Sequence, residues 1–586
     1  MHRDPDRAAQ VLREAADLGL FDSPRLVTEA IPEEYGGIAA LEGELEIEGK
    51  RACVWLVLDA SFPLSLPKIF VRPWDALGVL PHIDARGFVC HTQTEGLVLN
   101  WRQPLLVIEE GLRRAQAVLT AGLTGANLSD FALEFEAYWD LLPNRVAACS
   151  LVEPSSVAKP IVVTSEQHAG QQILYLADST AQVTSYRNAL AEETTQSPQR
   201  GLYLPLTGRD GLCPPRHDRP FWTPEEARRH LAPRFSEQAE QVLRQLGKHA
   251  RRQVEYVVIG VPRPGGGETL IGLCFEYVRK KHPLLKGGKA HRVIPMKLVR
   301  RDHSYLVRRG GGEANIDTKR VLIAGCGAVG AHVAVQLAQA GIPEITLVDH
   351  DTLNPENTFR HVLGRRYWGK AKVEALAHKI MDDLPYVRVT PIQQRIQQAM
   401  VEGTVTVADF DLVIMATGDP TVELWVNEQV RASGAGAPGV LFMWVEPLGI
   451  GGHALLTHEP GGRGCFECLY TSPVDDIDGD LDNRAAFAAP GQSFGRALSG
   501  CATLHTPFAA SDAVDTAIVA TRLALAYLTG TERQNTLRSW RGNAAVFLAE
   551  GFHLSARYGL TEEALTGQAY AFATPRCPVC GVSEGE

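Results

Sequence analysis

The stretch RVLIAGCGAVGAHVAVQLAQAG, residues 320–341, decides the fold of the C-terminal half of the chain. Apolar residues lead into Gly325, Gly327 and Gly330, and an alanine-rich run with helical periodicity follows. A GxGxxG loop between a strand and a helix presents backbone N–H groups and a helix N-terminus to phosphate. The loop therefore predicts a nucleotide-binding α/β domain, although by itself it serves NAD and ATP equally.

The segment after residue 318 alternates predicted strands with predicted helices. The strands are VLIAG, EITLVD, RVTPI and DLVIMAT, and one of the helices is GKAKVEALAHKIMDDL. Such alternation is typical of a Rossmann-like, doubly wound α/β domain with a parallel sheet. Asp349 ends the strand EITLVD, where it is placed to accept hydrogen bonds from ribose hydroxyls.

Polar and basic residues follow the second strand of this domain. VDHDTLNPENTFRHVLGRRYWGKAKVEAL places Asp351, Asn357, Arg360 and Lys372 just beyond it. Hydride transfer needs no such group, whereas attack on the α-phosphate of ATP develops charge on the leaving pyrophosphate that fixed cations stabilise. Asp419, in the TGDP turn after DLVIMAT, is placed to hold Mg²⁺. These residues favour ATP and argue against an oxidoreductase.

The order GxGxxG, VDHDTLNPENTFRHV, GKAK and ATGDP resembles the ThiF and MoeB type adenylating enzymes and the ubiquitin-activating enzymes over about residues 305–584. The resemblance implies that Asn357, Arg360 and Lys372 bind the phosphates of ATP. It also implies that Asp419 is the catalytic acid linked to Mg²⁺. Lys370 is an alternative to Lys372, which the GxxK spacing of the family favours.

The same resemblance implies a thioester-forming cysteine and a homodimer. Cys501 lies just before a long apolar helical pattern and after the first CxxC pair, as the thioester cysteine of the family does. Without the resemblance, a lone cysteine is more often a buried structural residue. The family also borrows an arginine from the dimer mate, and either Arg308 or Arg309 occupies that place before the first strand.

Two CxxC pairs provide a candidate metal site. Cys465 and Cys468 lie in GCFECLY, and Cys577 and Cys580 lie in RCPVCG. Four thiolates suit a structural, tetrahedral Zn²⁺ with no open coordination position, and a redox-active CxxC is the alternative. The ThiF-like family carries the same paired arrangement, which implies zinc.

The N-terminal region has a different character. A helical pattern in residues 1–20, the strand-like runs ALEGELEIE, RACVWLVLD and PKIFVRP, and the helical LLVIEEGLRRAQAVLTAGL predict an α+β domain over residues 1–150. Its core resembles the ubiquitin-conjugating enzymes. The matching positions are Phe62, Pro63, Pro67, His82, Gly87, Cys90, Trp101 and Pro104. The resemblance implies that Cys90 is an acyl-accepting nucleophile. The Pro and Asn of the family's HPN motif are Ile83 and Asp84 here, so the oxyanion role of that Asn has no assigned residue.

Residues 151–304 carry no readable motif and are predicted to form a mixed α/β linker or substrate domain. Predicted strands flank one helix, TPEEARRHLAPRFSEQAEQVLRQLG, with Thr223 as its cap and Glu226 three residues later. The predicted organisation is therefore an α/β multidomain chain with boundaries near residues 150 and 304, the last domain spanning residues 305–586.

Composition limits the classes of partner. The 586 residues include 58 Lys and Arg against 68 Asp and Glu, a formal net charge of −10, which argues against direct nucleic-acid binding. No run of about 18 apolar residues predicts a membrane span, and the charged N-terminus does not resemble a signal peptide. We therefore expect a cytoplasmic protein with reduced cysteines.

Together the resemblances imply an ATP-dependent protein ligase with ATP, Mg²⁺ and Zn²⁺ as cofactors. It would adenylate the C-terminus of a partner protein, capture it as a thioester on Cys501, transfer it to Cys90 and conjugate it to a target amine. This architecture resembles bacterial fusions of antiphage (CBASS) operons, which implies a cGAS-like nucleotidyltransferase or a ubiquitin-like protein as the partner. The alternatives are a ThiF/MoeB-type adenylyltransferase for a sulfur carrier or ubiquitin-like protein, with the N-terminal half as a recognition module, and a non-catalytic scaffold that binds ATP and zinc.

Overall fold

A computed structural model describes most of the chain. The described residues are 5–91, 96–168, 171–187, 198–209, 212, 215, 221–247, 252–263, 266–279, 281–312, 314–434, 436–458, 464–472, 482–497, 504–569 and 571–581. The chain divides into two compact units, Met1–Thr180 with Thr194–Arg300 and Ala181–Glu193 with Arg301–Glu586. The division into three domains at residues 150 and 304 stays a prediction.

The N-terminal part of the first unit is an α+β fold, as predicted. Its elements are α1 Pro5–Asp17, β1 Asp22–Leu26, β2 Ala39–Ile47, β3 Lys50–Leu58, β4 Lys68–Arg72, α2 Pro104–Thr124, α3 Asp130–Leu133 and α4 Phe135–Asp140. The four strands form one antiparallel sheet in chain order. Helix α2 buries Ile108, Leu112, Ala115 and Leu119, whose spacing follows the helical period, in one apolar core with strand residues.

The rest of the first unit is a closed barrel that the sequence analysis did not predict. The elements from residue 146 to residue 300 are β5 Val146–Ser150, β6 Lys159–His168, β7 Gln171–Ala177, α5 Thr180–Arg187, β8 Gln199–Pro205, α6 Pro224–Leu231, α7 Glu237–Gly247, β9 Arg252–Pro262, β10 Glu268–Val278 and β11 Arg292–Arg300. Of these, α5 belongs to the second unit from Ala181 onward. The seven strands close in the order β10-β11-β5-β7-β6-β8-β9. Strand β5 ends at the predicted boundary yet belongs to the barrel.

The single helix predicted after Thr223 is two helices, α6 and α7. Its start is as predicted, because the Thr223 hydroxyl accepts from the Glu226 N–H at 3.2 Å and the Glu226 carboxylate accepts from the Thr223 N–H at 2.8 Å. A short 3-10 turn, Ala232–Arg234, then separates the helices. Pro233 lies in this turn, and proline lacks the N–H that would continue an α-helix.

The second unit is built on a seven-stranded sheet. Its elements are α8 His303–Arg309, β12 Arg320–Ala324, α9 Ala328–Ala340, β13 Glu344–Val348, α10 Lys372–Asp383, β14 Arg388–Ile392, α11 Ile396–Val401, β15 Leu412–Met415, α12 Pro420–Ala432, β16 Gly439–Val445, β17 Gly451–Thr457, β18 Arg496–Ala497, β19 Leu504–His505, α13 Ala510–Leu528, β20 Thr536–Arg541, α14 Ala545–Ala549 and α15 Glu562–Gly567. The strand order is β14-β13-β12-β15-β16-β17-β20, and β18 pairs with β19 separately.

The sheet is parallel only in its first five strands. The four predicted strands, β12 to β15, pair in parallel as expected, and β16 extends this parallel part. β17 and β20 run antiparallel to their neighbours. Residues 446–450 join β16 to β17, and so short a connection cannot return the chain for a parallel crossover. The sequence analysis did not predict the strands β16, β17 and β20 at this edge of the sheet. None of the helices among the described residues is long and apolar enough to cross a membrane.

Candidate active sites

The glycine loop joins β12 to α9 and is closely packed at Gly325 and Gly330. A Cβ on Gly325, whose φ is +94°, would lie 2.3 Å from the carbonyl oxygen of Ala416, and one on Gly330 would lie 2.0 Å from that of Gly325. A Cβ on Gly327, the residue that caps α9, would meet no atom within 4 Å. The loop is thus packed tightly from below and open at the helix N-terminus, where backbone N–H groups can receive a phosphate.

Asp349 ties this loop to the segment that follows β13. Its carboxylate accepts from the Cys326 N–H at 2.7 Å and from the Asp351 N–H at 2.8 Å. Cys326 itself is fully buried, as expected of a small filler, and burial raises the pKa of its thiol. Asp349 therefore fixes the loop conformation, and its hydrogen bond to ribose stays a prediction.

His361 also forms a hydrogen bond with the glycine loop, and the sequence analysis missed it. Its Nε2–H donates to the Cys326 carbonyl at 2.7 Å, and its Nδ1 accepts from the Leu363 N–H at 3.1 Å. Burial lowers the pKa of His361, so the ring is neutral and these two bonds fix its tautomer. Its position directly after Arg360, in a segment already assigned to the nucleotide, was the available signal.

Lys372 begins α10 and is turned towards Asp351. Its ammonium lies 2.9 Å from the Asp351 carboxylate, although the lysine is buried and the aspartate half-exposed. Burial opposes ionisation of Asp351, but the hydrogen bond and charge of Lys372 outweigh it and keep the pKa of that carboxyl low. The alternative, Lys370, is exposed and lies 5.9 Å from the Tyr367 ring centroid. The choice of Lys372 for the phosphates stays a prediction.

Asn357 and Arg360 lie on a short 3-10 helix, Pro355–Arg360. The Asn357 side-chain oxygen accepts from the Asn354 N–H at 3.0 Å and so closes the first turn. The Arg360 guanidinium lies 4.9 Å from the ring centroid of Phe508. Both side chains are partly exposed, and their contacts with phosphate stay predictions.

Asp419 caps α12 at the edge of the sheet where β12, β13 and β15 all end. The parallel register pairs Ala324 with both Val348 and Met415, so the glycine loop, Asp349 and Asp419 follow three adjacent strand ends. One oxygen of Asp419 accepts from two N–H groups of α12, at 3.1 and 3.2 Å, and the side chain is exposed. The structure therefore brings the glycine loop, Asp349 and Asp419 to one edge of the sheet.

Glu423, one turn along α12, is a second carboxyl that the sequence analysis missed. It is 2% exposed and accepts from the Thr417 hydroxyl at 2.8 Å and the Thr417 N–H at 3.2 Å. Burial raises the pKa of Glu423 to about 8. Its bonds hold the turn that carries Asp419. Its position four residues after Asp419, on the same helix face, was the only sequence signal.

Carboxylates at this edge could also hold a divalent cation. Besides Asp419, the ligand atoms of Asp349, His350 and Asp351 all lie within 4.8 Å of one another. Oxygen ligands suit Mg²⁺, which keeps several waters and bridges to substrate phosphates. The residues fit the ion, and Mg²⁺ itself stays a prediction.

The four cysteines of the two CxxC pairs converge. The sulfurs of Cys465 and Cys577 are 3.6 Å apart, those of Cys468 and Cys580 are 3.3 Å apart, and all four lie within 4.8 Å of one another. Four thiolates around Zn²⁺ at about 2.3 Å stand roughly 3.8 Å apart, so the cluster fits that ion. The cluster is buried beside Phe466 in the core of the second unit.

The proposed thioester residue, Cys501, lies outside the described residues. The structure resumes at β19, and α13 follows as the predicted apolar helix. Helix α13 packs against α9 through buried residues such as Ala517 and Leu337, which belong to one core.

Cys90, in the first unit, is exposed. Its N–H donates to the His82 carbonyl at 2.8 Å, and an isolated bridge between Ile83 and Val89 closes the loop between them. Asp84, which stands at the position of the HPN asparagine, accepts from the N–H groups of Arg86 at 2.8 Å and Phe88 at 3.0 Å. The sequence therefore places an acceptor, not a donor, where the family has an amide.

His82 lies between Cys90 and two carboxylates. Its Nε2 is 2.9 Å from Asp130 and its Nδ1 is 2.9 Å from Glu134. A hydrogen bond with the Cys90 side chain, followed by the bonds to Glu134 and Asp130, raises the pKa of His82 to about 10 against the opposing effect of burial. The backbone N–H of His82, where φ is +65°, donates to the Tyr138 hydroxyl at 2.8 Å. His82 is thus an imidazolium at neutral pH.

Comparisons with known proteins match both regions. The ThiF family model matches residues 304–541, and the model of the Prokaryotic E2 family B matches residues 36–147. The chain is 25% identical over 490 residues to the ATP-dependent ubiquitin transferase-like protein Cap2 of Pseudomonas aeruginosa, covering 81% of this chain and 84% of that protein. It is 22% identical over 510 residues to a protein of the same name from Escherichia coli, covering 79% and 81%.

Among solved structures, that of E. coli MccB with ATP aligns at 18% identity and a TM-score of 0.33, covering 47% of this chain and 70% of that chain. The segment matched by the first family model contains the glycine loop and Asp419, and the segment matched by the second contains His82 and Cys90.

Proposed function

Because the chain fuses a prokaryotic E2-like domain with a ThiF-type adenylating domain and is an ATP-dependent ubiquitin-transferase-like enzyme, we propose that it uses ATP to activate a carboxyl group. It then transfers the resulting acyl group to a target amine. The observation that carries the proposal is the presence, in one chain, of a glycine loop at the edge of a parallel sheet and of an exposed cysteine, Cys90, in a domain matched by the Prokaryotic E2 family B model. The first would activate a carboxyl group, and the second would accept it.

The activation step takes place at the edge where β12, β13 and β15 end. ATP lies with its phosphates over the open side of Gly327, and Asn357, Arg360 and Lys372 bind them. The partner's C-terminal carboxylate attacks the α-phosphorus, the bond to the bridging oxygen breaks, and pyrophosphate leaves with the electron pair. Fixed cations stabilise that charge without reorganisation, which is the usual source of rate acceleration in such reactions.

Mg²⁺ would be held by Asp419, with Asp349 and Asp351 close to the phosphates. When bound, the ion neutralises phosphate charge and helps to orient the leaving group. Lys372 requires a substrate anion to displace part of its present contact with Asp351, which is 2.9 Å away. Once Lys372 binds the substrate anion, the half-exposed carboxylate of Asp351 can turn to solvent or to the ion.

The transfer steps use two thiols. The Cys501 sulfur attacks the carbonyl carbon of the acyl adenylate and AMP leaves. The Cys90 sulfur then attacks the Cys501 thioester, and the Cys501 thiolate leaves. A target amine finally attacks the Cys90 thioester, so that an amide forms, the Cys90 thiolate leaves and the amine loses a proton. Each thioester keeps the acyl group activated, since thiolates both attack and leave readily.

The activated partner is proposed to be a protein with a free C-terminus, either a cGAS-like nucleotidyltransferase or a ubiquitin-like protein, and the setting antiphage signalling. The two Cap2 relatives support ubiquitin-transferase-like chemistry and identify no particular partner. The adenylating domain is further proposed to form a homodimer in which Arg308 or Arg309 reaches the other protomer's phosphates; both lie in the last turn of α8.

Zinc is proposed for the four-cysteine cluster in a structural role. It would join the short helix Phe466–Leu469 to the segment that contains Cys577, which is 112 residues from Cys465.

The relay is tested with the full chain, ATP, Mg²⁺ and a candidate partner from the neighbouring genes. We measure pyrophosphate exchange and thiol-reversible adducts by mass spectrometry. Cys501→Ala is expected to keep exchange and lose both adducts, and Cys90→Ala is expected to keep the Cys501 adduct and lose the final conjugate. Cys53→Ala, at a half-buried cysteine of the same domain, is the matched control.

Two results would contradict the proposal. Full product formation by Cys90→Ala would favour the adenylyltransferase alternative, in which the N-terminal half only recognises the partner. Absence of partner-dependent pyrophosphate exchange would favour a scaffold that binds ATP without catalysis.

A further inference from the structure

We propose that a cavity in the barrel part of the first unit is a docking site for an acidic peptide segment with apolar anchor side chains. The segment would belong to the protein whose C-terminus is activated, so the inference rests on the proposed function. The cavity measures about 490 Å³ and lies between α6, α7 and residues 281–286 of the connection from β10 to β11. Its volume is within the range of about 300–1,000 Å³ that is typical of ligand-binding clefts.

The floor of the cavity is apolar. Phe235, Leu243 and Leu284 are buried there, and Ala232 and Leu285 are half-buried. Ala232 lies in the turn between α6 and α7 and Phe235 follows it, so the break between the two helices brings both side chains to the cavity. Among the described residues that line the cavity, none has an uncharged polar side chain. An apolar side chain that enters the cavity is therefore stabilised by its removal from water.

Basic side chains surround this floor. Arg228, Arg244, Lys281 and Lys286 line the cavity together with one acidic residue, Glu240, which pairs with Arg244 on the same helix. Within the described part of the chain, neither Lys281 nor Lys286 forms an ion pair, and both are exposed. The rim is thus positive although the chain as a whole has a formal net charge of −10. The two lysines are available to an anionic ligand.

The loop that carries the two lysines is held in place by its own backbone. The His282 carbonyl accepts from the Leu285 N–H at 2.9 Å, and a Cβ on Gly288 would lie 1.9 Å from the same oxygen. The Arg228 guanidinium donates to the Pro283 carbonyl at 3.4 Å and so connects α6 to the loop. Because the loop is formed before a ligand binds, docking costs little ordering of the chain.

The distribution of polar groups favours a protein segment over a free small molecule. Small-molecule sites place a few polar groups inside an apolar pocket, whereas here the charged groups surround an apolar floor. An apolar centre within a polar rim is the pattern of protein–protein interfaces. The floor would accept Leu or Phe, and the rim would accept Asp or Glu beside them. The run RKKHPLLKGGKAHR, residues 279–292, contributes three of the lining leucines and lysines to each role in turn and contains no acidic residue.

The test measures the binding of fluorescein-labelled peptides to the full-length chain by fluorescence anisotropy. The probe is a decapeptide in which Leu and Phe alternate with Asp and Glu. A second peptide has Lys at each acidic position, and a third has Ser at each apolar position. We expect the acidic, apolar probe to bind about tenfold more tightly than either of the others, and less tightly as the salt concentration rises. Equal binding of the three peptides, or no binding of the probe, would overturn the inference.

Charge reversal at the rim tests the site itself. Lys281→Glu with Lys286→Glu should weaken binding of the probe about tenfold, because two exposed ion pairs are lost and repulsions replace them. Arg279→Glu with Lys289→Glu is the matched control, since it makes the same change at exposed residues of the same run that do not line the cavity. Its effect should stay within about twofold. Leu285→Ser should weaken binding without a change of charge, and thermal unfolding midpoints show whether each variant is folded.

Other occupants of the cavity predict different results. If the ligand is a small apolar anion, dodecanoate binds to the cavity and the peptide probe does not. If the occupant is a second copy of this chain, light scattering detects a lower molar mass for Lys281→Glu with Lys286→Glu than for the wild type. Either result would count against a peptide-docking site.

Pyrophosphate exchange with the candidate partner connects docking to activation. We expect Lys281→Glu with Lys286→Glu to raise the KM for the partner about tenfold and to leave kcat unchanged, because the rim binds the partner without touching the reacting carboxylate. An unchanged KM would refute the assignment of the docked segment to the activated protein. If the wild type shows no partner-dependent exchange, the proposed function fails, whereas the binding of the peptide probe still decides whether the cavity is a docking site.

Discussion

Replacing Gly330 by alanine should destabilise the second unit, because the new methyl group has no space. Its carbon would lie 2.0 Å from the carbonyl oxygen of Gly325, about 1.4 Å short of the 3.4 Å at which ordinary contact begins. The contact is with backbone, so α9 must move away from the loop. We expect about 1–3 kcal/mol for the forced repacking.

The same displacement strains the bond that holds the loop closed. The Cys326 N–H donates to Asp349 at 2.7 Å, and a hydrogen bond to a charged group contributes about 1.5–3 kcal/mol. Partial loss of that bond brings the expected total to about 3 kcal/mol. For a unit of about 300 residues, that loss lowers the unfolding midpoint by about 5 °C.

Gly327→Ala is the matched control, since a Cβ there would meet no atom within 4 Å. Its φ of −78° is ordinary for alanine, and loss of glycine at the helix cap should cost no more than about 1 kcal/mol. Its methyl group nevertheless occupies the open side of the loop where phosphate is proposed to bind. We therefore expect Gly327→Ala to keep its stability and to weaken ATP binding.

Differential scanning calorimetry and ATP titration of the full chain measure the two effects separately. Equal unfolding midpoints for the two variants would show that Gly330 is not packed as described. Unchanged ATP affinity in Gly327→Ala would show that the phosphates do not lie over this side of the loop.

Three further predictions concern the metal, a buried acid and a helix cap. Cys577→Ser should reduce bound zinc from about one ion per chain to none by elemental analysis, with a lower unfolding midpoint; a wild-type chain without zinc would contradict this. Glu423 is easier to protonate in the folded chain, with a pKa of about 8, than in the unfolded chain, so its stabilising effect is complete below about pH 4.5 and declines as pH rises towards 8. Glu423→Gln should remove a penalty of roughly 3 kcal/mol at pH 7 and none at pH 4, and a pH-independent effect in urea unfolding would refute it. Thr223→Ala should cost about 1 kcal/mol by removing the capping box, whereas Thr28→Ala, at an exposed site outside any helix, tests for a general effect of threonine loss.

Local patterns made much of the second unit predictable. The glycine loop, the strand ends at Asp349 and Asp419, and the alternation of strands with helices are all set within short windows of sequence. Because parallel strands end at one edge, their terminal residues could be placed together without coordinates. The four cysteines could also be grouped from the sequence, because four thiolates from two CxxC pairs suit one tetrahedral metal site.

Long-range pairing could not be predicted in the same way. The barrel closes through parallel contacts between strands far apart in sequence, such as β5 with β11 and β8 with β9. Alternation of apolar residues predicts a strand but does not identify its partner. The antiparallel β17 depended on the length of a connection, and the break between α6 and α7 depended on one proline in an otherwise helical pattern.

The environment of Cys90 illustrates why a motif can keep its position and change its chemistry. His82 occupies the place of the HPN histidine, and the sequence shows that Asp84 cannot donate as the family's asparagine does. What the sequence does not show is that Asp130 and Glu134, 48 and 52 residues further on, reach the same ring. Only the packing of α3 and α4 beside the loop makes that contact, through Tyr138 on the His82 backbone. The His82 ring therefore contacts two carboxylates that lie far from it in the sequence, and only the folded chain brings them together.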